Sequence, residues 1–87
     1  MIQQRIIDRT VVGEILQHIY TSGLGVQLTL FSEKGYFYIG QGDKKTPLRG
    51  TTIEEAVTHL AIRLVNEFPK SEFASWWNTH FKEVQQA

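Results

Sequence analysis

Apolar positions recur at helical spacing in three stretches of the chain and alternate in two others, and the order of these stretches predicts the architecture. The longest helical stretch starts from Gly50-Thr51-Thr52-Ile53-Glu54-Glu55-Ala56, after which Val57, Leu60, Ala61, Leu64, Val65 and Phe68 form a stripe over about four turns. Its start reads as a capping box: a threonine hydroxyl accepts an orphan backbone N–H while a glutamate three residues later reaches back. Thr51 and Thr52 each have such a glutamate, so either can serve. Pro69-Lys70-Ser71 then breaks the chain, and Ser71 caps a last helix with Phe73, Trp76, Trp77, Phe81 and Val84 on one aromatic side. An earlier helix begins at Asp8 or Thr10, carries Val12, Ile15, Leu16 and Ile19 on one face, and ends at Thr21-Ser22-Gly23. Gly13 weakens it by roughly 1 kcal/mol relative to alanine.

Between these helices, Val26-Gln27-Leu28-Thr29-Leu30-Phe31 alternates with the period of a strand, and Tyr36-Phe37-Tyr38-Ile39 reads as its return. With Glu33-Lys34 at the tip of the turn, Leu30 lies opposite Phe37 and Leu28 opposite Ile39 on one face. Phe31 then sits beside Tyr36, and Thr29 beside Tyr38, on the other. A one-residue bulge at Gly35 changes these partners. Gly40 to Lys45 is a loop by its glycines and charges, and Thr46-Pro47-Leu48-Arg49 suggests a short third strand that Pro47 confines to an edge. The order α-β-β-(β)-α-α predicts an α+β fold in one domain, a small antiparallel hairpin or three-stranded sheet packed by helices. Ile2, Ile6 and Ile7 do not decide between a strand and an arm for residues 1–7.

Composition narrows the function classes. A chain of 87 residues buries roughly 60–65% of its unfolded surface, so its stability is modest and a homodimer would add to it. Hydrophobic residues at 41% and charged residues at 21% suit a globular domain and not a disordered one. Cysteine is absent, which excludes disulfides, thiolate metal sites and cysteine nucleophiles and makes a reducing cytoplasm the expected compartment. No apolar run is long enough for a signal peptide or a membrane span. Nine basic residues balance nine acidic ones, whereas a dedicated nucleic-acid binder usually carries a positive excess.

Candidate chemistry is sparse. His18, His59 and His80 fall on three different helices without the spacing that puts two metal ligands on one face. Glu55, His59 and Arg63 are one turn apart and fit a solvated ladder. Gly40-Gln41-Gly42 with Lys44-Lys45 lacks the direct run into a helix that a phosphate loop needs. No serine has a paired histidine or a nucleophile-elbow motif. The expectation is a non-enzymatic protein, with no metal and no cofactor. Trp76 and Trp77 are adjacent, about 100° apart on a helix, and are hard to bury together in so small a core, so one is expected to pack inward with Phe73 and Phe81 and the other to stay near the surface. With Ile62, on the side of its helix away from the Leu60/Leu64 stripe, they form the expected contact set for a protein partner, and Tyr36 and Tyr38 form a second candidate face. The alternative is a nucleic-acid-binding module in which Lys34, Lys44, Lys45 and Arg49 flank those tyrosines.

Gly35-Tyr36 followed by Gly50-Thr51-Thr52-Ile53-Glu54-Glu55-Ala56-Val57 resembles two groups of small proteins. One is the HicB-type antitoxin fold, where a Gly-Tyr strand leads to a Gly-x-Thr-x-Glu-Glu-Ala helix start. The other is a class of small phage-encoded α/β sandwich proteins with a hairpin before a Thr-x-x-Glu-Ala helix. The likeness spans about residues 26–66. The chain lacks the antitoxins' Pro-Asp-Leu-Pro-Gly turn, and no helix-turn-helix or ribbon-helix-helix is evident. The phage-like resemblance implies an accessory protein of a phage or mobile element that acts by binding a host component.

Overall fold

Short polar side chains take up orphan backbone N–H groups at the starts of a 3-10 turn and of the two later helices, while the first helix simply continues from that turn. In the computed structural model, which describes residues 6–40 and 47–81, Asp8 accepts from Thr10 N–H at 2.9 Å and opens a 3-10 turn, Arg9–Val11, that runs into α1, Val12–Thr21. Thr52 rather than Thr51 caps α2, Ile53–Glu67, accepting from Glu55 N–H at 3.2 Å. Glu55 reaches back one residue beyond the cap and accepts from Thr51 N–H at 3.0 Å. Ser71 caps α3, Glu72–His80, accepting from Ala74 N–H at 3.0 Å.

Three strands lie between α1 and α2: β1, Thr29–Glu33; β2, Tyr36–Gly40; and β3, Leu48–Gly50. They form one antiparallel sheet in the order β1-β2-β3. The chain is therefore α+β in the order α-β-β-β-α-α, and the third strand is present. The turn tip is Lys34-Gly35, one residue later than expected, with φ of +51° and +83°. Positive φ at both central residues is the two-residue turn whose twist matches a hairpin, and glycine suits its second position. Leu30 consequently faces Ile39 and Phe31 faces Tyr38, in place of Phe37 and Tyr36. A shift of two residues leaves every side chain on its expected face, because the strand period is two.

β1 also begins three residues later than its alternation suggests. Thr29 pairs with Gly40, and Val26 and Leu28 lie ahead of the strand. They pack against the core instead. That core lies between the sheet and the helices and is filled by Ile15 and Ile19 of α1, Ile39 of β2, the Val57/Leu60/Leu64 stripe of α2, and Phe73 and Trp77 of α3. α2 is the helix that packs extensively on the sheet, against β3 and β2. Gly50 permits the approach: a Cβ there would meet Ala56 N at 2.5 Å.

Two long-range hydrogen bonds from backbone N–H groups tie the periphery to this frame. Thr58, fully buried in α2, accepts from Ile7 N–H at 3.0 Å and donates to the Glu54 carbonyl at 2.7 Å. Ser22, at the end of α1, accepts from Phe73 N–H at 3.0 Å and so supplies a partner to an orphan N–H in the first turn of α3.

Candidate functional site

The two tryptophans separate as their 100° offset requires. Trp77 is fully buried, stacked on Phe81 at 4.6 Å and tilted against Phe73 at 6.1 Å. It is a core residue, and as a surface anchor it is corrected: α3 docks through Phe73 and Trp77, one turn apart, which turns Trp77 inward. Its Nε1 has no hydrogen-bond partner among the described residues. Trp76 is half-buried at the rim. The His18 ring stacks on it at 3.8 Å and 15°, while Phe73, Phe81 and His80 surround it at 5.3–6.0 Å. Ile62 is half-buried and packed against the core. These three residues do not form an open apolar patch.

The sheet does expose one. Ile39, Leu48 and Gly50 point toward α2, so Phe31, Glu33, Tyr36, Tyr38 and Arg49 share the opposite face, away from that helix. Phe31 and Tyr38 stack nearly parallel, 4.9 Å apart at 5°. Tyr36 meets Tyr38 edge to face at 6.4 Å, and the Arg49 guanidinium lies 4.5 Å over the Tyr36 ring. Phe31 is 40% exposed. The fold thus brings Tyr36, Tyr38 and Arg49 together and adds Phe31. Lys34 stands apart at the exposed hairpin tip. Lys44 and Lys45 lie outside the described residues.

A second apolar feature is a groove of about 420 Å³ between α1 and the segment leading into β1, lined by Leu16, Ile19, Tyr20, Leu24, Val26 and Leu28. Tyr20 is 81% exposed on its rim. Val26 and Leu28 line it because they fall short of the strand.

Two carboxylates, Asp8 and Glu54, are held low by their neighbours. The Thr10 backbone N–H and then its hydroxyl hold the Asp8 carboxyl below the usual range. The backbone N–H of Glu54 itself and then Arg9, whose Nε lies 3.2 Å from Oε2, outweigh burial and hold Glu54 low. His59 Nδ1 lies 3.0 Å from the Arg49 carbonyl and His80 Nδ1 2.9 Å from the Trp76 carbonyl. A carbonyl can only accept, so both nitrogens are donors. Among the described residues no group of three or more His, Asp or Glu side chains could hold a metal, and no helix is long and apolar enough to cross a membrane.

The assembled surface is thus an aromatic ladder with an arginine over one end, on a sheet face turned away from α2. No family model, no curated protein and no solved structure matches the chain.

Proposed function

We propose that this protein is a non-enzymatic interaction module, an accessory protein of a phage or mobile element that binds a host protein through the outer face of its sheet. The observation that carries this reading is the Phe31–Tyr38–Tyr36 ladder with Arg49 over Tyr36. Tyrosine and arginine are enriched in binding hot spots, where they present large contact area and directional polar tips. Here the rings and the guanidinium already hold one another, so association would order little that is not ordered before it. This moves the contact set from Trp76, Trp77 and Ile62 to Tyr36, Tyr38, Phe31 and Arg49.

The test is capture from host lysate by tagged wild-type protein, with and without nuclease. Tyr38→Ala and Arg49→Ala should each weaken a nuclease-resistant protein partner by at least about 30-fold, the effect of losing a hot spot. Trp76→Ala should retain it. Circular dichroism would check that each variant is folded. Loss of the partner with Trp76→Ala, and retention with Tyr38→Ala and Arg49→Ala, would overturn this surface.

The parallel Phe31 and Tyr38 rings beside Arg49 also favour a second reading, since successive bases stack on such plates while cations meet the phosphates. Binding to a single-stranded oligonucleotide that weakens steeply with salt and fails with Tyr38→Ala would establish it. No binding at low salt would exclude it.

A further inference from the structure

The two edges of the sheet are built differently. β3 is three residues long, follows Pro47, and has α2 packed closely against it. These are ways in which natural sheets blunt an edge. Among the described residues, β1 has none of them. All five of its residues are exposed, and it carries no proline and a single charge, Glu33. Leu30 on one face is 59% exposed, and Phe31 on the other 40%.

The hairpin geometry gives the direction of the free backbone groups. A two-residue turn makes Glu33 and Tyr36 a mutually bonded pair, and bonding alternates along an antiparallel ladder. Glu33, Phe31 and Thr29 therefore bond to β2, while Leu30 and Ser32 turn their N–H and C=O groups outward.

We propose that β1 pairs antiparallel with β1 of a second copy about a two-fold axis at Phe31, making one continuous six-stranded sheet. Among antiparallel self-pairings, this register alone keeps every β1 residue paired. It sets Leu30 opposite Ser32 of the second copy, so the outward groups meet each other. It sets Glu33 opposite Thr29, avoiding the like-charge contact of a Glu33-centred register. On the outer face Phe31 meets its own counterpart, and the row becomes Tyr38–Phe31–Phe31–Tyr38 across the seam. On the other face the row is Ile39–Leu30–Ser32–Phe37, in which the small serine leaves room for Phe37 to approach Leu30. Both exposed leucine and phenylalanine positions are covered by the same operation. The chain has no net charge to oppose self-association. A five-residue strand pair buries less than the roughly 1,000 Å² of a durable interface, so the dimer is weak and concentration-dependent.

Phe31 belongs to both this seam and the partner surface. The seam also needs the outward backbone groups of Leu30 and Ser32, which the partner reading does not use, so Ser32→Pro separates the two. Sedimentation of the full chain from ~1 μM to ~1 mM, the range of weak association, should show the mass rising from 10.0 kDa toward twice that value. Ser32→Pro removes an outward N–H without touching the β1–β2 ladder, and should leave a folded monomer. Since the chain has no cysteine, single cysteines test the register directly. Phe31→Cys places two thiols within the 4.4–6.8 Å Cα separation that a disulfide needs, whereas two Leu30→Cys positions lie about 8 Å apart. Mild oxidation should link Phe31→Cys into a dimer and leave Leu30→Cys unlinked. A single-chain mass over the whole range, association that survives Ser32→Pro, or equal linking of the two cysteine variants would each overturn the seam.

Discussion

Replacing Gly50 by alanine tests the junction on which the sheet and α2 depend. The added methyl would lie 2.5 Å from Ala56 N, 2.9 Å from the Thr52 carbonyl oxygen and 2.9 Å from Glu55 Cβ, where ordinary contact is 3.4–4 Å. Two of these three atoms are backbone in or beside the first turn of α2, so no rotamer change relieves the overlap. The helix start must move relative to β3 by about 1 Å, against close-packed neighbours that resist it. Overpacking of this kind costs about 1–3 kcal/mol. The same movement strains the Thr52 and Glu55 caps, at 3.2 and 3.0 Å, and loss of a cap adds about 1 kcal/mol. The total is about 2–4 kcal/mol, or roughly 10–25 °C in Tm for a domain of this size. Urea and thermal unfolding followed by circular dichroism would measure it. Gly13→Ala is the internal control: nothing lies within 4 Å of its added methyl in an exposed helical turn, so it should stabilise by about 0.5–1 kcal/mol. If Gly50→Ala changed stability by less than about 0.5 kcal/mol, the close β3–α2 approach would be wrong.

Further outcomes follow from single side chains. Thr58→Val keeps the shape but leaves the Ile7 N–H without its acceptor; it should cost about 1–3 kcal/mol and speed amide exchange at Ile7, while Thr58→Ser restores both. Trp77→Ala should cost about 3–5 kcal/mol, whereas Trp77→Phe removes the unpartnered Nε1 with the lost ring and should cost less than about 2 kcal/mol. In NMR titrations Asp8 and Glu54 should show midpoints below their ordinary 3.8 and 4.5. Because folding lowers both values, the stability they supply is present above those ordinary values and disappears as pH falls through the folded midpoints. Asp8→Asn and Glu54→Gln should accordingly flatten the acid limb of the stability profile; an unchanged limb would show that the two carboxylates contribute nothing there.

The elements were legible in the sequence because the signals that make them are local. The Thr52 and Ser71 caps, the break at Pro69 and the apolar stripe of α2 each depend on residues within one turn of one another, and all stand as read. The alternation of β2 likewise placed Ile39 inward and Tyr36 and Tyr38 outward. An error of two residues in the register left that placement intact, since a strand repeats every two. The turn itself was misplaced because two consecutive residues with positive φ are a choice of the folded hairpin, which a lysine does not announce.

What only the tertiary structure decided concerns residues whose partners are far along the chain. Ser22 and Phe73, and likewise Ile7 and Thr58, are 51 residues apart, and no spacing rule connects them. Trp76 and Trp77 were both legible as poorly accommodated, but which of them the core would absorb depended on how α3 docks. Phe31 was legible as a member of the tyrosine face, but the hairpin turn decided that its ring stacks on Tyr38 and not on Tyr36. The open β1 edge is the clearest case. A strand is exposed or covered according to what the rest of the chain leaves beside it. Local sequence determines that a segment extends; only the packed arrangement determines which of its faces and edges remain without a partner.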